Sequence, residues 1–285
     1  MDSPPPGGRT LALTALALVA FAANSLLCRM ALQPPAIDAA TFASVRVVSG
    51  ALALALVLHV QASPRSAPHA DWLAAILLFA YVALFSFAYL TLSAGTGALI
   101  LFGAVQVTMF GAGLRAREPF APVAWLGLAL AAAGLVGLVL PGLSAPPLSG
   151  ALLMGAAGVA WGGYTLRGRT ASHPLAATAG NFLRAALPAL VLSLLLARRA
   201  HASVTGLACA VLSGALTSGL GYVIWYAALA HMSSLRAATV QLAVPPLAAF
   251  AGVLVLAEPV TTRLVIASTA ILGGIALVLV TRGRH

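Results

Sequence analysis

Ten apolar stretches occupy almost all of this chain, and nine short polar breaks separate them. The breaks fall at Gln33-Pro34-Pro35, 61–71, 93–97, 115–122, 141–147, 167–174, 197–203, 231–234 and 258–263. The stretches between them run near 10–31, 39–60, 71–92, 96–115, 121–140, 148–167, 176–197, 204–230, 235–257 and 262–281. Each approaches the roughly 20 residues that a helix needs to cross the hydrocarbon of a bilayer. Lipid offers the backbone no water to bond, so each stretch is expected to be helix throughout, except where it lines a cavity. Charged residues make up only 7% of the chain and hydrophobic ones 61%, whereas an ordinary soluble domain carries about 25% charged residues. A soluble helical array would need polar outer faces that this inventory does not supply. The expected fold is therefore an all-α integral membrane protein with ten transmembrane helices, its solvent a lipid bilayer.

The chain is also written twice. Arg46-Val-Val-Ser-Gly-Ala-Leu52 recurs as Arg184-Ala-Ala-Leu-Pro-Ala-Leu190, and Glu118-Pro119 as Glu258-Pro259. The closing runs, 131–140 and 271–280, share Gly134 and Gly274 at equivalent places. The copies are residues 1–142 and 143–285, with five helices each. Because five is odd, the second copy enters the membrane from the opposite side, which predicts two inverted repeats around a shared site.

The net charge of +10 comes from fifteen Arg, no Lys and five acids. The arginines lie mostly at the ends of apolar runs, which suits anchoring at the membrane surface. They form no aromatic-interleaved basic patch, so no nucleic-acid partner is expected. With the N-terminus cytoplasmic, nine arginines (Arg9, Arg65, Arg115, Arg117, Arg167, Arg169, Arg236, Arg282 and Arg284) lie inside, and four (Arg29, Arg198, Arg199 and Arg263) lie outside. This asymmetry places both termini inside, with the Arg198-Arg199 pair discordant. Arg9, an apolar run and Ala20-Phe21-Ala22 look like a signal peptide, but the run continues to Leu32, so 11–30 is expected to be a mature helix. Cys28 and Cys209 have no metal-ligand spacing and read as small core residues. Loops reach a dozen residues at most and no Gly-x-x-x-x-Gly-Lys sequence exists. Transport driven by hydrolysis within this chain is excluded, and no cofactor is implied.

The layout resembles the EamA family of the drug/metabolite transporter (DMT) superfamily. Arg46 and Arg184 in the second helix of each half carry the likeness, as do Glu118-Pro119 and Glu258-Pro259. So does the proline-bearing Gln241-Leu-Ala-Val-Pro-Pro-Leu-Ala-Ala-Phe250, running into Gly252 to Glu258. The likeness covers essentially the whole chain and is closer in the second half. In the first half Gln106 stands where Pro246 stands, and Leu114-Arg-Ala-Arg-Glu118 replaces a more apolar run. The resemblance implies a multi-pass permease of the bacterial cytoplasmic (inner) membrane, mostly for export of metabolites such as amino acids. It names no substrate.

A cavity between the halves would be lined by the few polar and aromatic groups that lipid rejects. In the first stretch these are Asn24 and Ser25; an amide there either lines the cavity or forms an interhelical bond that holds the bundle. Trp161, followed by Gly162-Gly163-Tyr164, occupies the matching place in the sixth stretch, as pocket wall or as packed core. Tyr81, Phe85 and Tyr89 share one face of the third helix, and Tyr222, Trp225 and Tyr226 one face of the eighth. The two stripes either frame one cavity suited to flat or apolar substrates, organic cations included, or serve as interfacial belt and core. Gln106 and Thr108 on the fourth stretch and Gln241 on the ninth complete the set. Pro245-Pro246 is expected to interrupt the ninth helix and free carbonyls.

Arg46 and Arg184 lie seven or eight residues into their helices, about 10 Å of rise, so both can snorkel to the interface. Each either closes one end of the pathway, meets a substrate carboxylate there, or anchors helix ends. Inversion puts Arg46 toward the outside and Arg184 toward the inside. Glu118 and Glu258 close their helices, where a carboxylate opposes the dipole. Capping the next helix or pairing with Arg117 or Arg263 would satisfy them. The five acids, Asp2, Asp38, Asp71, Glu118 and Glu258, all lie at ends or in loops. A carboxylate proton relay at mid-membrane is thus unsupported, and His231, at a helix end, is poorly placed to serve instead. Paired acids, a Ser/His dyad or a metal cluster at depth is not evident, so an enzyme is not expected. The expected function is a secondary transporter of small metabolites by alternating access, with a channel-like permease or a non-transporting subunit as alternatives. No protein partner is implied, and a homodimer is left open.

Overall fold

Side-chain caps start several helices where the polar breaks end. The computed structural model describes residues 8–33, 36–61, 71–115, 122–140, 142, 145–168, 171, 173–229 and 240–282. Helix α1 is Gly8–Leu32, α2 Ala39–Val60, α3 Trp72–Ala88, α4 Ala94–Arg115, α5 Pro122–Val139, α6 Leu148–Gly168 and α7 Pro174–Leu195. The next rod is α8 (Val204–Leu212), a π-helical segment Ser213–Leu220 and α9 (Gly221–Leu229) in unbroken succession. Helices α10 (Val244–Leu256) and α11 (Thr262–Arg282) follow. Asp38 caps α2 by accepting from Thr41 N at 2.9 Å, and Asp71 caps α3 through Ala74 N at 2.9 Å. Ser203 caps α8 through Gly206 N at 3.1 Å. Each cap relieves one of the orphan donors at a helix start.

The elements fall on the ten expected stretches. The eighth is interrupted by the π turn, and the ninth is described only from residue 240. Among the described residues, six helices are long and apolar enough to cross a membrane: Gly8–Leu32, Ala39–Val60, Ala94–Arg115, Pro122–Val139, Leu175–Leu195 and Val204–Trp225. The break expected at Pro245-Pro246 lies earlier, at residues 242–243. Both prolines occupy the first turn of α10, where a missing N–H removes no hydrogen bond.

Polarity is inverted relative to a soluble protein. Leu52, Leu183, Leu194, Leu195, Phe250 and Ile266 stand on the surface, whereas Asn24, Ser44, Arg46, Asn181, Ser213 and Ser218 are buried. Large apolar side chains exposed on helix after helix mark a surface meant for an apolar solvent. Contacts between the two halves of the chain come in matched pairs. Helix α2 packs on α7, and α5 packs on α11. The contact of α3 with α6 is matched by that of α8 with α1, and α4 with α6 by α10 with α1. A short backbone tie also joins the halves. Ile37 bridges Ala202, Asp38 N donates to His201 O at 3.0 Å, and Ser203 N donates to Ala36 O at 2.6 Å. Burial works against ionisation of Asp38, but hydrogen bonds from Thr41 and His201 outweigh it and hold its carboxyl below the ordinary value.

Helices that share a lipid solvent gain little by hiding apolar surface from it, so close approach of small residues must supply the contact. The repeated glycines do this. A Cβ on Gly134 would meet Ile271 N at 3.1 Å and Ala270 Cβ at 2.9 Å. A Cβ on Gly274 would meet Ala131 N at 2.7 Å and collide with Gly127 O. By contrast, a Cβ on Gly273 meets nothing within 4 Å. Gly274→Leu is therefore expected to separate α5 from α11 and cost about 1–3 kcal/mol, while Gly273→Leu leaves stability near wild type. Thermal unfolding of the detergent-solubilised variants checks this, and equal melting of the two would refute it.

Candidate functional site

Arg46 enters the interior from the middle of α2. Its residue is 1% exposed, so the expected snorkelling to the interface does not occur. Two features draw it inward. Nε donates to Ser218 Oγ at 3.2 Å and Nη2 to the Tyr81 hydroxyl at 3.0 Å. The guanidinium carbon lies 5.2 Å from the Tyr81 ring centroid and 4.9 Å from that of Phe85, within cation–π range. Nη1 is buried with no hydrogen-bond partner among the described residues.

A small cavity of about 20 Å³, room for about one water molecule, lies beside this guanidinium. The space is narrow, so a substrate has to push side chains aside to enter. Its walls come from both halves. Helix α1 contributes Phe21, Asn24 and Ser25, α3 contributes Tyr81 and Phe85, and α4 contributes Leu101 and Phe102. Trp161 comes from α6, Thr217 and Ser218 from the π segment, Tyr222 from α9, and Gln241 from the position just ahead of the turn that precedes α10. The two aromatic stripes meet through Trp161, whose ring lies 4.8 Å from Tyr81 and 5.2 Å from Tyr222. Phe21 closes the other side of Tyr222 at 6.1 Å.

Asn24 performs both tasks open to it. It lines the cavity, and its Oδ1 accepts from Ser213 at 2.7 Å and Thr217 at 3.2 Å. These hydroxyls sit on the π-helical segment, a distortion that recurs at functional sites. Gly214 lets that segment close on α2, since a Cβ there would collide with Ser49 Oγ and the Arg46 carbonyl. On α6, Gly158 and Gly162 admit α4, with Leu101 O 2.6 Å and Thr108 Cβ 2.9 Å from where their Cβ atoms would lie.

Of the residues singled out from the sequence, Asn24, Ser25, Arg46, Tyr81, Phe85, Trp161, Tyr222 and Gln241 converge on the cavity. Others lie outside its lining. Tyr164 packs behind Trp161 at 5.6 Å, and Trp225 against Phe21 at 5.7 Å. Gln106 is half-buried on α4. Arg184 is half-buried on α7, its Nη1 2.8 Å from where a Cβ on Gly180 would stand. It does not share the depth of Arg46, its equivalent in the repeat. The Tyr226 side chain lies outside the described residues, as do Glu118 and His231. Phe21, Leu101, Phe102, Thr217 and Ser218 were not expected. Only the hydroxyl-rich run Ser213-Gly-Ala-Leu-Thr-Ser-Gly219 carried a signal for two of them.

Toward the C-terminal end of α1, outside the cavity lining, lies an interlock of charged and polar groups. Arg29 Nε meets Glu258 Oε1 at 3.0 Å, and Arg29 Nη1 donates to Tyr89 O at 3.1 Å. Glu258 Oε2 accepts from Ala94 N at 2.8 Å and so caps α4, while the Tyr89 hydroxyl donates to Ala94 O at 3.2 Å. Arg263, offered from the sequence as one alternative beside capping of the next helix, instead donates to the Leu138 and Leu140 carbonyls. The backbone explains the redirection. Ala257 adopts the left-handed conformation, φ 51°, which turns Glu258 back over Gly252, toward Arg29 and away from Arg263. Tyr89 thus belongs to this interlock and not to the cavity wall. The second ion pair among the described residues, Arg167 with Asp71 at 2.8 Å, lies at the opposite helix ends.

Breaking the mostly buried Arg29–Glu258 pair leaves an uncompensated group, a loss of about 3 kcal/mol. Glu258→Gln is expected to lower the melting temperature and to expose buried Cys28, one residue before Arg29, to a thiol reagent in a Cys209→Ser background. Continued protection of Cys28 would show that the pair does not hold this end closed.

A helical bundle with apolar outer faces and an aromatic-walled cavity between the two halves of the chain fits a multi-pass membrane protein. Comparison with known proteins agrees. The model of the EamA-like transporter family matches residues 148–280. An uncharacterized protein of Pseudomonas aeruginosa is 54% identical over 277 residues, covering 97% of this chain and 96% of that protein. A crystal structure of a protein with 18% sequence identity superposes with a TM-score of 0.69, covering 96% of this chain and 98% of that one, and so shares its fold. The chain belongs to the EamA family of the DMT superfamily.

Proposed function

We propose that this protein is a secondary transporter that moves small metabolites across the bacterial cytoplasmic membrane by alternating access. The observation that carries the reading is the cavity beside Arg46, whose walls are drawn from both halves, with the Arg29–Glu258 interlock outside its lining toward one end. The matched contacts between the copies support an inverted arrangement, in which the same packing serves both access states. On this reading both termini are cytoplasmic, the interlock lies on the outer side, and the closed end is the exit. Export follows the family likeness. Opening requires the interlock to break while the hydrogen bonds at the π segment rearrange, and binding at the cavity selects which state is populated.

Purified protein in liposomes, assayed with a panel of amino acids, organic acids and aromatic amines, tests the proposal. Saturable uptake accelerated by unlabelled substrate on the far side is expected. Unsaturable flux would point to a pore, and no flux with any member to a non-transporting subunit.

A further inference from the structure

Arg46 carries a full charge into the bundle with no acid beside it. Among the described residues the three acids are committed elsewhere: Glu258 to Arg29 and Ala94 N, Asp71 to Arg167 and Ala74 N, Asp38 to Thr41 N and His201 N. None lines the cavity. An ion left without a counter-charge in a low-dielectric interior is strongly disfavoured, and here one guanidinium edge, Nη1, also lacks any hydrogen-bond acceptor. The other two nitrogens are held by Ser218 and Tyr81, and the rings of Tyr81 and Phe85 lie against the guanidinium carbon. The group is therefore fixed in place, with Arg46 in the wall of the cavity and Nη1 buried without an acceptor.

The remaining polar wall does not invite a cation. Asn24 Oδ1 already accepts from two hydroxyls, and the Tyr81 hydroxyl already accepts from Arg46. A second positive charge within a few ångströms of the guanidinium would be repelled with little screening. A carboxylate, in contrast, supplies both the missing counter-charge and the missing acceptor, with the strength of a charge-assisted bond. The apolar wall of Phe21, Leu101, Phe102, Trp161 and Tyr222 then receives the body of the molecule.

Resting on the reading of this space as the carrier's cavity, we propose that the transported class is small organic carboxylates with a flat or apolar body, bound through Arg46. Organic cations are excluded by the same charge. The carboxylate displaces no protein partner, because Nη1 has none to lose.

Calorimetric titration of the purified full chain tests this. Acetate, phenylacetate and indole-3-acetate are compared with ethylamine, phenethylamine and tryptamine, and sodium chloride serves as the inorganic anion. Saturable heats for the aromatic carboxylates, with none for the amines or chloride, are expected. Arg46→Gln should weaken carboxylate binding at least tenfold, and Arg46→Lys should weaken it less. Binding of the amines at equal affinity, competition by chloride at equal concentration, or full carboxylate affinity in a folded Arg46→Gln variant would overturn the proposal. If that variant does not fold, the charge series on the wild-type chain decides. Saturable flux of amines without carboxylate binding defeats this proposal and leaves the carrier reading standing. Carboxylate binding without flux does the reverse.

Discussion

A backbone in lipid must satisfy its own hydrogen bonds, and the rest of this structure follows from that constraint. It makes every long apolar stretch a helix, and it confines irregular backbone to places shielded by protein. The π-helical segment at 213–220 obeys it, contributing Thr217 and Ser218 to the cavity, and the turn at 242–243 directly follows Gln241, which lines it. It also makes polar side chains expensive on the outside. Asn24, Arg46, Ser213, Thr217 and Ser218 consequently gather in one place and bond to one another. The polar cluster thus joins α1 and α2 to the π segment and sits in the cavity wall, so one set of bonds holds helices together and shapes the site.

The two halves of the chain share sequence features, and their local differences shape the cavity. Gly134 and Gly274 perform equivalent tasks at the α5–α11 contact. Arg46 and Arg184, equivalent in the repeat, do not. Arg46 finds Tyr81, Phe85 and Ser218, whereas Arg184 lies back along its own helix over Gly180. A copied residue keeps its helix position, but its environment depends on which neighbours diverged. An asymmetric cavity is the outcome, with Arg46 the one buried cation among the described residues.

The helix order was legible because each polar break carries caps, prolines or charges that lipid rejects, and no tertiary information is needed to see them. The aromatic stripes were legible for a similar reason: spacing alone puts Tyr81 with Phe85 on one helix face. What spacing cannot give is which residue from a distant helix answers a charge. For Glu258 the sequence offered capping of the next helix or its neighbour Arg263, yet the left-handed turn at Ala257 sends it to Arg29, 229 residues away. Snorkelling by Arg46 followed from its distance to the helix end, but the rings and hydroxyls waiting inside outweighed that geometry. Thr217 and Ser218 escaped notice because hydroxyls in helices commonly bond back to their own carbonyls, as Thr217 also does to Ser213 O at 2.8 Å.

The central claim is that two copies of a five-helix unit lie inverted against each other and enclose the cavity between them. Gln61, at the end of α2, and Arg198, after α7, are both exposed, and inversion sends them to opposite faces of the membrane. Single cysteines at these two positions, with Cys28 and Cys209 replaced by serine, report their compartments to a membrane-impermeant thiol reagent in intact cells. The account predicts labelling at 198 from outside and protection at 61 until the membrane is opened. Labelling of both from the same side would contradict it.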